Sequence, residues 1–241
     1  MGVDNFLKLD IIFEHQDWLI INKPAGLLVH PDQHHREKTL VDLVLEIYPE
    51  IKIIGQPARP GIVHRLDKDV SGLMVVARSQ KFYDHIVKQF TNGRAKKEYL
   101  VLVYGRPEPS AGKIDLPLAR TKDGKIVVVQ YHGKIKNQKE AITEYETIKN
   151  YSQYSLLKIR PLTGRTNQIR VHLRAINCPL VGDRVYGFRD KNEGDELGRI
   201  FLHAAYLGFY DLNNTWQEFK SDLPGELSNF VQNLDSPTGE E

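Results

Sequence analysis

The chain contains a single cysteine, Cys178, among 241 residues. One cysteine excludes an internal disulfide and any zinc site built from several cysteines, and it suits a reducing cytoplasm. No apolar run approaches the roughly 20 residues that a membrane-spanning helix needs. The opening segment MGVDNFLKLD contains acidic residues and lacks the basic and apolar blocks of a secretory signal. We therefore expect a cytoplasmic protein without a membrane partner.

The net charge is only +2, with 33 basic and 31 acidic residues in the whole chain, but the charges are unevenly distributed. Residues 211–241 contain one basic and seven acidic residues, so residues 1–210 carry a net charge of +8. Two stretches are basic and free of acids: residues 94–97, with Arg94, Lys96 and Lys97, and residues 158–174, with Lys158, Arg160, Arg165, Arg170 and Arg174. Two such patches favour a polyanionic partner, although a solvated charged face is the alternative for either one.

Strand and helix patterns are interspersed along the chain, without an internal repeat. Helices are predicted after the capping residues Thr39 and Ser79, and over residues 165–176. Strands are predicted over residues 11–21 (as a hairpin), 72–77, 97–104, 125–131, 141–148, 154–160 and 199–211. Hairpin neighbours outnumber βαβ units, which predicts an α+β fold with a large mixed, mostly antiparallel sheet flanked by helices. We expect a single domain over residues 1–241, with its core at about 10–225 and a frayed tail at 235–241.

The most informative stretch is HRLDKDVSGLMVVA, residues 64–77. It places the carboxylate of Asp67 in a polar loop just before an apolar run that is typical of a buried strand. Sites are commonly built on loops that a rigid frame anchors in this way. The alternative is a structural pair of Asp67 with an arginine beside an Asx-type turn. Composition and spacing alone leave both interpretations open.

HRLDKDVSGL resembles the signature loop of the RluA family of RNA pseudouridine synthases. Five further segments match that family in the expected order, so the resemblance extends from about residue 10 to residue 225. Together with the loop, the matching segments are NKPAGLLVHP (22–31), PGIVHRLDKD (60–69), KKEYLVLVYG (96–105), LTGRTNQIRVHL (162–173), PLVGDRVYG (179–187) and FLHAAYLGF (201–209). The resemblance implies one large mixed sheet with a central RNA-binding catalytic cleft.

The resemblance also implies a reaction that moves C1′ of a ribose from N1 to C5 of its uracil. Bond count and redox state stay the same, so no cofactor is expected. The chain indeed lacks a Walker A or Rossmann glycine signature.

Three catalytic residues are implied by the same resemblance. Asp67 corresponds to the catalytic carboxylate, which either adds covalently to the sugar or base or acts as a base to start an elimination. Asp69 is its competitor, to which we assign a turn or surface role. Arg165 corresponds to the basic residue that pairs with the carboxylate and lowers its pKa, with a phosphate contact as the alternative. Tyr99 corresponds to the tyrosine that stacks on the uracil, with a plain core tyrosine as the alternative.

Further basic residues are predicted to bind RNA. Extrusion of the target nucleotide is required, because C1′ and both base faces are inaccessible in a stacked stem. By resemblance, Arg65 occupies the vacancy that the extruded nucleotide leaves. Lys23 is placed in the RNA-binding set too, with support of the active-site wall or backbone as its other role. The remaining members of this set are Lys96, Lys97, Arg170 and Arg174.

Position 167 departs from the family, which usually has GRTHQIR where this chain has Asn167. Asn donates and accepts hydrogen bonds but does not titrate near neutral pH. We expect activity to be retained. His30, His34 and His35 lie together in one polar loop and are candidates for a zinc site, but no Cys or Glu completes a ligand set. We predict a solvated loop there and no metal.

The expected substrate is large-subunit ribosomal RNA, with tRNA as the alternative, and the protein is expected to be a monomer. The family's ribosomal members often carry an N-terminal S4-type module, which this sequence is not expected to have. A non-catalytic RNA-binding or ribosome-assembly protein on the same fold is the alternative of another class. A glycoside hydrolase using Asp67 is disfavoured because it lacks an assignable second carboxylate.

Overall fold

The computed structural model describes residues 8–31, 37–129, 137–188 and 197–234. Helices and strands are interspersed along the chain. They are β1 (Ile11–Glu14), β2 (Trp18–Lys23), α1 (Leu40–Ile47), a 3₁₀ helix (Pro49–Ile53), β3 (Gly55–Gln56), β4 (Arg59–Pro60), β5 (Ser71–Ala77), α2 (Gln80–Thr91), β6 (Lys96–Tyr104), β7 (Ala111–Asp115), β8 (Leu118–Arg120), β9 (Ile126–Val128), β10 (Ile142–Asn150), β11 (Tyr154–Pro161), α3 (Gln168–Ala175), β12 (Leu202–Tyr210), β13 (Trp216–Lys220) and α4 (Gly225–Gln232).

The chain divides into two compact units. Unit one consists of Met1–Ala95 and Leu207–Ser221, and unit two consists of Lys96–Tyr206 and Asp222–Glu241. Strand β12 crosses the division along the chain, because its first residues belong to unit two and its last to unit one.

Unit one is built on the antiparallel strands β1, β2 and β5. Strand β2 lies between the other two, and its Ile20 and Ile21 pair with Val75 and Met74 of β5. All seven residues of β5 are buried. A strand covered on both faces is expected from a continuous apolar run of this kind, which is why LMVVA predicts it.

The two helices of unit one begin at the residues that the sequence marks as caps. Thr39 and Asp42 form a reciprocal capping box at the start of α1. The Ser79 side chain accepts a hydrogen bond from the backbone N–H of Phe82 at the start of α2. Phe82 is fully buried, and its ring packs near those of Trp18 and Phe209. An aromatic core therefore joins α2 to the strands of unit one.

Unit two is built on four antiparallel strands in the order β6-β11-β10-β7, with β8 and β9 paired as a separate hairpin. One core cluster centres on Leu102, Val181 and Phe201 and includes Leu227 of α4. A second cluster lies under the β8–β9 hairpin and includes Val171 of α3. These clusters fix the strands and helices that carry the candidate residues of this unit.

Helix α3 begins later than the sequence predicts, at Gln168 and not at residue 165. Asn167 has φ 53° and ψ 18°, which is a left-handed conformation, so the residues before Gln168 form a loop. Asn adopts this conformation more readily than most residues. Arg165 therefore lies on irregular backbone ahead of the helix.

The α+β class and the mostly antiparallel pairing predicted from the sequence are confirmed. The single domain and the central RNA-binding cleft stay predictions, and the tail at residues 235–241 lies outside the described residues. Among the described residues, no helix is long and apolar enough to span a membrane.

The backbone at residue 61, three residues before His64 of the HRLDKD segment, requires a glycine. Its φ is +71°, its N–H donates to the Ile54 carbonyl, and its carbonyl accepts from the Ala77 N–H. A Cβ at this position would lie 2.8 Å from the Ala77 carbonyl oxygen. The backbone at residue 61 therefore excludes any side chain.

Replacing Gly61 by Ala tests this requirement against Gly105, which has a similar φ of +77° but no atom within 4 Å of an added Cβ. We expect Gly105→Ala to lower the free energy of unfolding by about 1 kcal/mol, from left-handed strain alone. Gly61→Ala adds a backbone clash and is expected to cost about 3 kcal/mol or more. Urea titration of both variants measures the difference, and equal losses would contradict it.

Candidate active site

Asp67 lies in a loop that is fixed on both sides. Leu66 before it is buried, and the Asp67 carbonyl accepts a hydrogen bond from the Val70 N–H at 3.1 Å, which closes a turn over Lys68 and Asp69. Strand β5 begins directly afterwards. The Asp67 residue is half-buried, whereas Asp69 is exposed. The loop therefore holds Asp67 at a fixed place, and Asp69 occupies the turn position that the sequence assigns to it.

Lys23 supports this loop from inside the protein. It is fully buried, and its Nζ donates to the carbonyls of Pro24, Leu27 and Lys68 at 2.7, 2.8 and 3.0 Å. The Lys68 carbonyl also accepts from the Gly26 N–H. Lys23 therefore has no exposed surface to present to a nucleic acid in this structure, and its place in the RNA-binding set stays a prediction. Its other predicted role, support of the loop backbone, agrees with these contacts.

Arg65 is exposed on the same loop. Its Nη1 lies 3.2 Å from Nε2 of His30. His30 Nδ1 lies 3.0 Å from the Pro31 carbonyl, which can only accept, so Nδ1 carries a proton. In a neutral ring Nε2 is then the acceptor for Arg65. His30 orients the arginine, and both of its ring nitrogens are engaged.

The histidines considered for zinc are described only in part, since His34 and His35 lie outside the described residues. Within the described ranges, no group of three His, Cys, Asp or Glu side chains is placed to hold a metal ion.

Tyr99 lies on β6, where it pairs with Ile159 of β11 and is 7% exposed. Strand alternation puts Lys97 on the same face as Tyr99 and the exposed Lys96 on the other. Lys97 is half-buried, and burial lowers the pKa of its ammonium group below the ordinary value. Lys97 therefore belongs with the Tyr99 face, whereas Lys96 faces away from it.

Arg165 is exposed and is held at two points. Its Nε donates to the Glu140 carbonyl at 3.0 Å, and its backbone N–H donates to Oε1 of Gln168 at 3.0 Å. The first hydrogen bond uses Nε and neither Nη1 nor Nη2. The side chain is therefore directed by Glu140 while its backbone is directed by the first residue of α3.

Arg170 and Arg174 have different environments, although the sequence predicts both to bind RNA. Arg170 forms a bidentate pair with Asp183, with Nε–Oδ2 at 2.7 Å and Nη2–Oδ1 at 2.8 Å. Burial by itself would raise the pKa of Asp183, but the hydrogen bonds and charge of Arg170 hold it below its ordinary value. This pair engages the Arg170 guanidinium, and the RNA-binding assignment of Arg170 stays a prediction. Arg174 is exposed over the Phe188 ring and stays a predicted RNA contact.

Tyr186 joins three segments of unit two. Its hydroxyl accepts from the Ile126 N–H of β9 and from Nδ2 of Asn167, both at 3.3 Å. Arg170 lies over its ring, and Nη1 of Arg170 donates to Oδ1 of Asn167 at 3.1 Å. Asn167 thus ties the loop of Arg165 to the hairpin and to α3. Gln168, Asp183 and Tyr186 fall within the quoted motifs, yet the sequence interpretation did not single them out.

The predicted site residues are distributed over both units. Unit one holds Lys23, Arg65 and Asp67, and unit two holds Lys96, Lys97, Tyr99, Arg165, Arg170 and Arg174. The pairing of Asp67 with Arg165 stays a prediction.

Comparison with known proteins gives a consistent result. A family model described as RNA pseudouridylate synthase matches residues 17–175. An uncharacterized RNA pseudouridine synthase of Chloroflexus aurantiacus is 44% identical over 214 residues, covering 88% of this chain and 65% of that protein. Ribosomal large subunit pseudouridine synthase D of Zymomonas mobilis is 37% identical over 232 residues, covering 92% of this chain and 71% of that protein. The chain thus spans about two thirds of the length of these relatives.

Solved structures give the same fold. The structure titled Human RNA Pseudouridylate Synthase Domain Containing 4 has a TM-score of 0.74 at 26% identity and covers 95% of both chains. The structure of Human RNA Pseudouridylate Synthase Domain Containing 1 has a TM-score of 0.72 at 23% identity. Fold and sequence agree that the chain belongs to the RNA pseudouridylate synthase family. The resemblance to its RluA members is confirmed.

Replacing Lys23 by Met tests its supporting role. Three carbonyls would lose a buried donor, so we expect the free energy of unfolding to fall by about 3 kcal/mol. The exposed Lys81→Met variant is the control and is expected to change stability by less than about 0.5 kcal/mol. Urea titration measures both. Unchanged stability together with weakened RNA binding in Lys23→Met would contradict the supporting role and favour an RNA-binding role.

Position 167 can be tested with three substitutions. Asn167→Gly keeps the left-handed conformation and loses only the side-chain hydrogen bonds. Asn167→Ala loses the bonds and also strains the backbone, so we expect it to be less stable than the Gly variant by about 1 kcal/mol. Asn167→His restores the family residue, and its turnover is expected to stay within about threefold of the parent protein. A tenfold or larger gain in turnover for the His variant would show that Asn167 impairs the site.

Proposed function

We propose that the chain is an RNA pseudouridine synthase, an isomerase that converts specific uridines of structured RNA to pseudouridine. The observation that carries the proposal is the family match over residues 17–175, which includes Asp67, Tyr99 and Arg165. The fixed loop around Asp67 supports it, because a catalytic carboxylate must be held in place relative to its substrate.

The net reaction breaks the N1–C1′ bond of a uridine and forms a C5–C1′ bond. N1 gains a proton and C5 loses one, so the atoms balance and no electrons are transferred. Asp67 provides the carboxylate for this exchange. It either adds to the sugar or base as a nucleophile or removes a proton from the sugar to start an elimination. Both routes require Asp67 to be ionised.

Arg165 and Tyr99 complete the proposed catalytic set. A guanidinium beside Asp67 favours the ionised carboxylate and fixes its orientation. Tyr99 offers a ring on which the detached uracil stacks while it turns, and the half-buried Lys97 lies on the same strand face. A single catalytic domain is proposed because the family match includes residues of both compact units.

RNA binding is assigned to cations that are exposed or, for Lys97, half-buried. Extruding a uridine costs a few kcal/mol, and a planar cation stacked in the gap offsets part of that cost. Arg65 is exposed and oriented by His30, which suits this role. Lys96, Lys97 and Arg174 provide the phosphate contacts.

Large-subunit ribosomal RNA is the proposed substrate, in preference to tRNA. Relatives from Zymomonas mobilis, Borreliella burgdorferi and Yersinia pestis are named ribosomal large subunit pseudouridine synthase D. Loops and bulges are the proposed targets, because their bases are easier to extrude. We place the protein in the cytoplasm, which agrees with its buried free thiol at Cys178, and expect a monomer by light scattering.

Release of tritium from RNA labelled at C5 of uridine tests the proposal. We expect release from large-subunit ribosomal RNA that lacks pseudouridine, and little from tRNA. Asp67→Ala is expected to lower turnover by more than about a thousandfold, because no other group replaces the carboxylate. RNA affinity, measured by filter binding, is expected to change little.

Asp69→Ala is the matched control. It also removes a carboxylate, but one that is exposed in the turn two residues after Asp67. It is expected to keep near-parental turnover. Tight RNA binding without tritium release from any RNA would favour the non-catalytic alternative. High turnover of Asp67→Ala would move the catalytic carboxylate elsewhere.

A further inference from the structure

The side-chain amide of Gln168 makes four hydrogen bonds at the start of α3. Its Oε1 accepts from the Thr163 hydroxyl at 2.8 Å and from the Arg165 N–H at 3.0 Å. Its Nε2 donates to the Ile142 carbonyl and to the Thr143 hydroxyl oxygen, both at 2.9 Å. Gln168 is only 3% exposed. Both lone-pair directions and both protons of the amide are therefore used.

These contacts tie the loop before α3 to strand β10. The Thr163 hydroxyl accepts from the Ile142 N–H at 2.9 Å, and the Leu162 N–H donates to the Ile142 carbonyl. Gln168 bonds to the same Ile142 carbonyl from the other side of the loop. Gln168 thus connects the backbone N–H of Arg165 to strand β10, although Arg165 itself lies on irregular backbone.

A second layer of hydrogen bonds fixes the Gln168 amide itself. His172 lies 2.9 Å from the Leu116 carbonyl through Nε2 and 2.9 Å from the Thr143 hydroxyl through Nδ1. The carbonyl can only accept, so Nε2 carries the proton and Nδ1 accepts from Thr143. Thr143 then accepts from Gln168. Burial lowers the pKa of His172 from its ordinary value, which favours the neutral ring in which the donors run in this one direction.

We propose that Gln168 is a positioning residue for Arg165. It fixes the Arg165 backbone while Glu140 directs the guanidinium, so that the cation has one orientation before RNA binds. The inference rests on the proposed function, in which Arg165 acts on Asp67. A residue that sets the orientation of a catalytic cation changes the rate of the bound complex more than it changes RNA affinity.

Gln89 provides a matched control for a purely structural role. It is also 3% exposed, and its amide donates to the Tyr210 carbonyl at 2.7 Å and accepts from the Tyr210 N–H at 2.9 Å. It belongs to unit one, whereas Gln168 and Arg165 belong to unit two. Replacing either glutamine by Met removes buried hydrogen bonds and keeps the side-chain volume similar.

The first experiment compares Gln168→Met with Gln89→Met by steady-state tritium release. We expect Gln168→Met to lower kcat by about tenfold or more while KM changes less than about twofold. Gln89→Met is expected to keep kcat near the parental value in the folded protein. Equal kcat for the two variants, or a loss confined to KM, would overturn the proposal.

A double-mutant cycle separates positioning from general damage. If Gln168 acts through Arg165, Gln168→Met costs tenfold in the parent but less than about twofold in Arg165→Ala, under single-turnover conditions. The same tenfold loss in both backgrounds would overturn the proposal. Failure of the parent protein to release tritium would instead count against the proposed function, so the two failures are distinguishable.

Gln168→Glu provides a second variant if the Met variant fails to fold. An ionised carboxylate still accepts from Arg165 but cannot donate to Ile142, whereas the protonated acid can. Burial raises the pKa of such a carboxyl group. We expect its kcat, relative to the parent at the same pH, to rise between about pH 8.5 and pH 7 as the acid protonates. A ratio that does not change with pH would contradict the proposal.

Discussion

The loops that carry Asp67 and Arg165 are irregular backbone, and such backbone needs hydrogen-bond partners that a helix or strand would supply itself. Buried side chains supply them here. The Lys23 ammonium holds three carbonyls of unit one, including that of Lys68 next to Asp67. In unit two, the Gln168 amide accepts from the Arg165 N–H and donates to the Ile142 carbonyl. The loop of Asp67 and the loop of Arg165 are therefore each held by a buried polar residue.

Such an arrangement favours one loop conformation over others. A buried donor left without its acceptor costs about 1–3 kcal/mol, so alternative loop conformations that break these bonds are disfavoured. The three carbonyls offset part of the cost of burying the Lys23 amine. The same residues that make the loops rigid also make the unit intolerant of changes at those positions. Rigidity and sensitivity to substitution have one cause.

The sequence predicted local features well and long-range polar contacts poorly. Caps at Thr39 and Ser79 follow from side chains that bond within three residues, so their neighbours contain the whole signal. Apolar spacing likewise predicted the helix α3, although the helix begins three residues later than expected. His172 of this helix is buried, but its partners are 29 and 56 residues away, which no periodicity reveals. The contact of Lys23 with the Lys68 carbonyl is hidden from the sequence in the same way, because the two residues are 45 positions apart.

Charge along the chain needs the same correction before it is used as evidence for RNA binding. Within the basic run at residues 158–174, Lys158 and Arg160 face Glu146 and Glu144 across the β10–β11 pair. Lys158 lies 3.6 Å from a Glu146 oxygen, and Arg160 donates to Glu98 at 2.6 Å. Arg170 is committed to Asp183. Three of the five cations are thus balanced by carboxylates from other segments, which a count along the run does not include. We therefore expect any RNA contact made by this run, and the salt dependence that accompanies it, to depend mainly on Arg165 and Arg174.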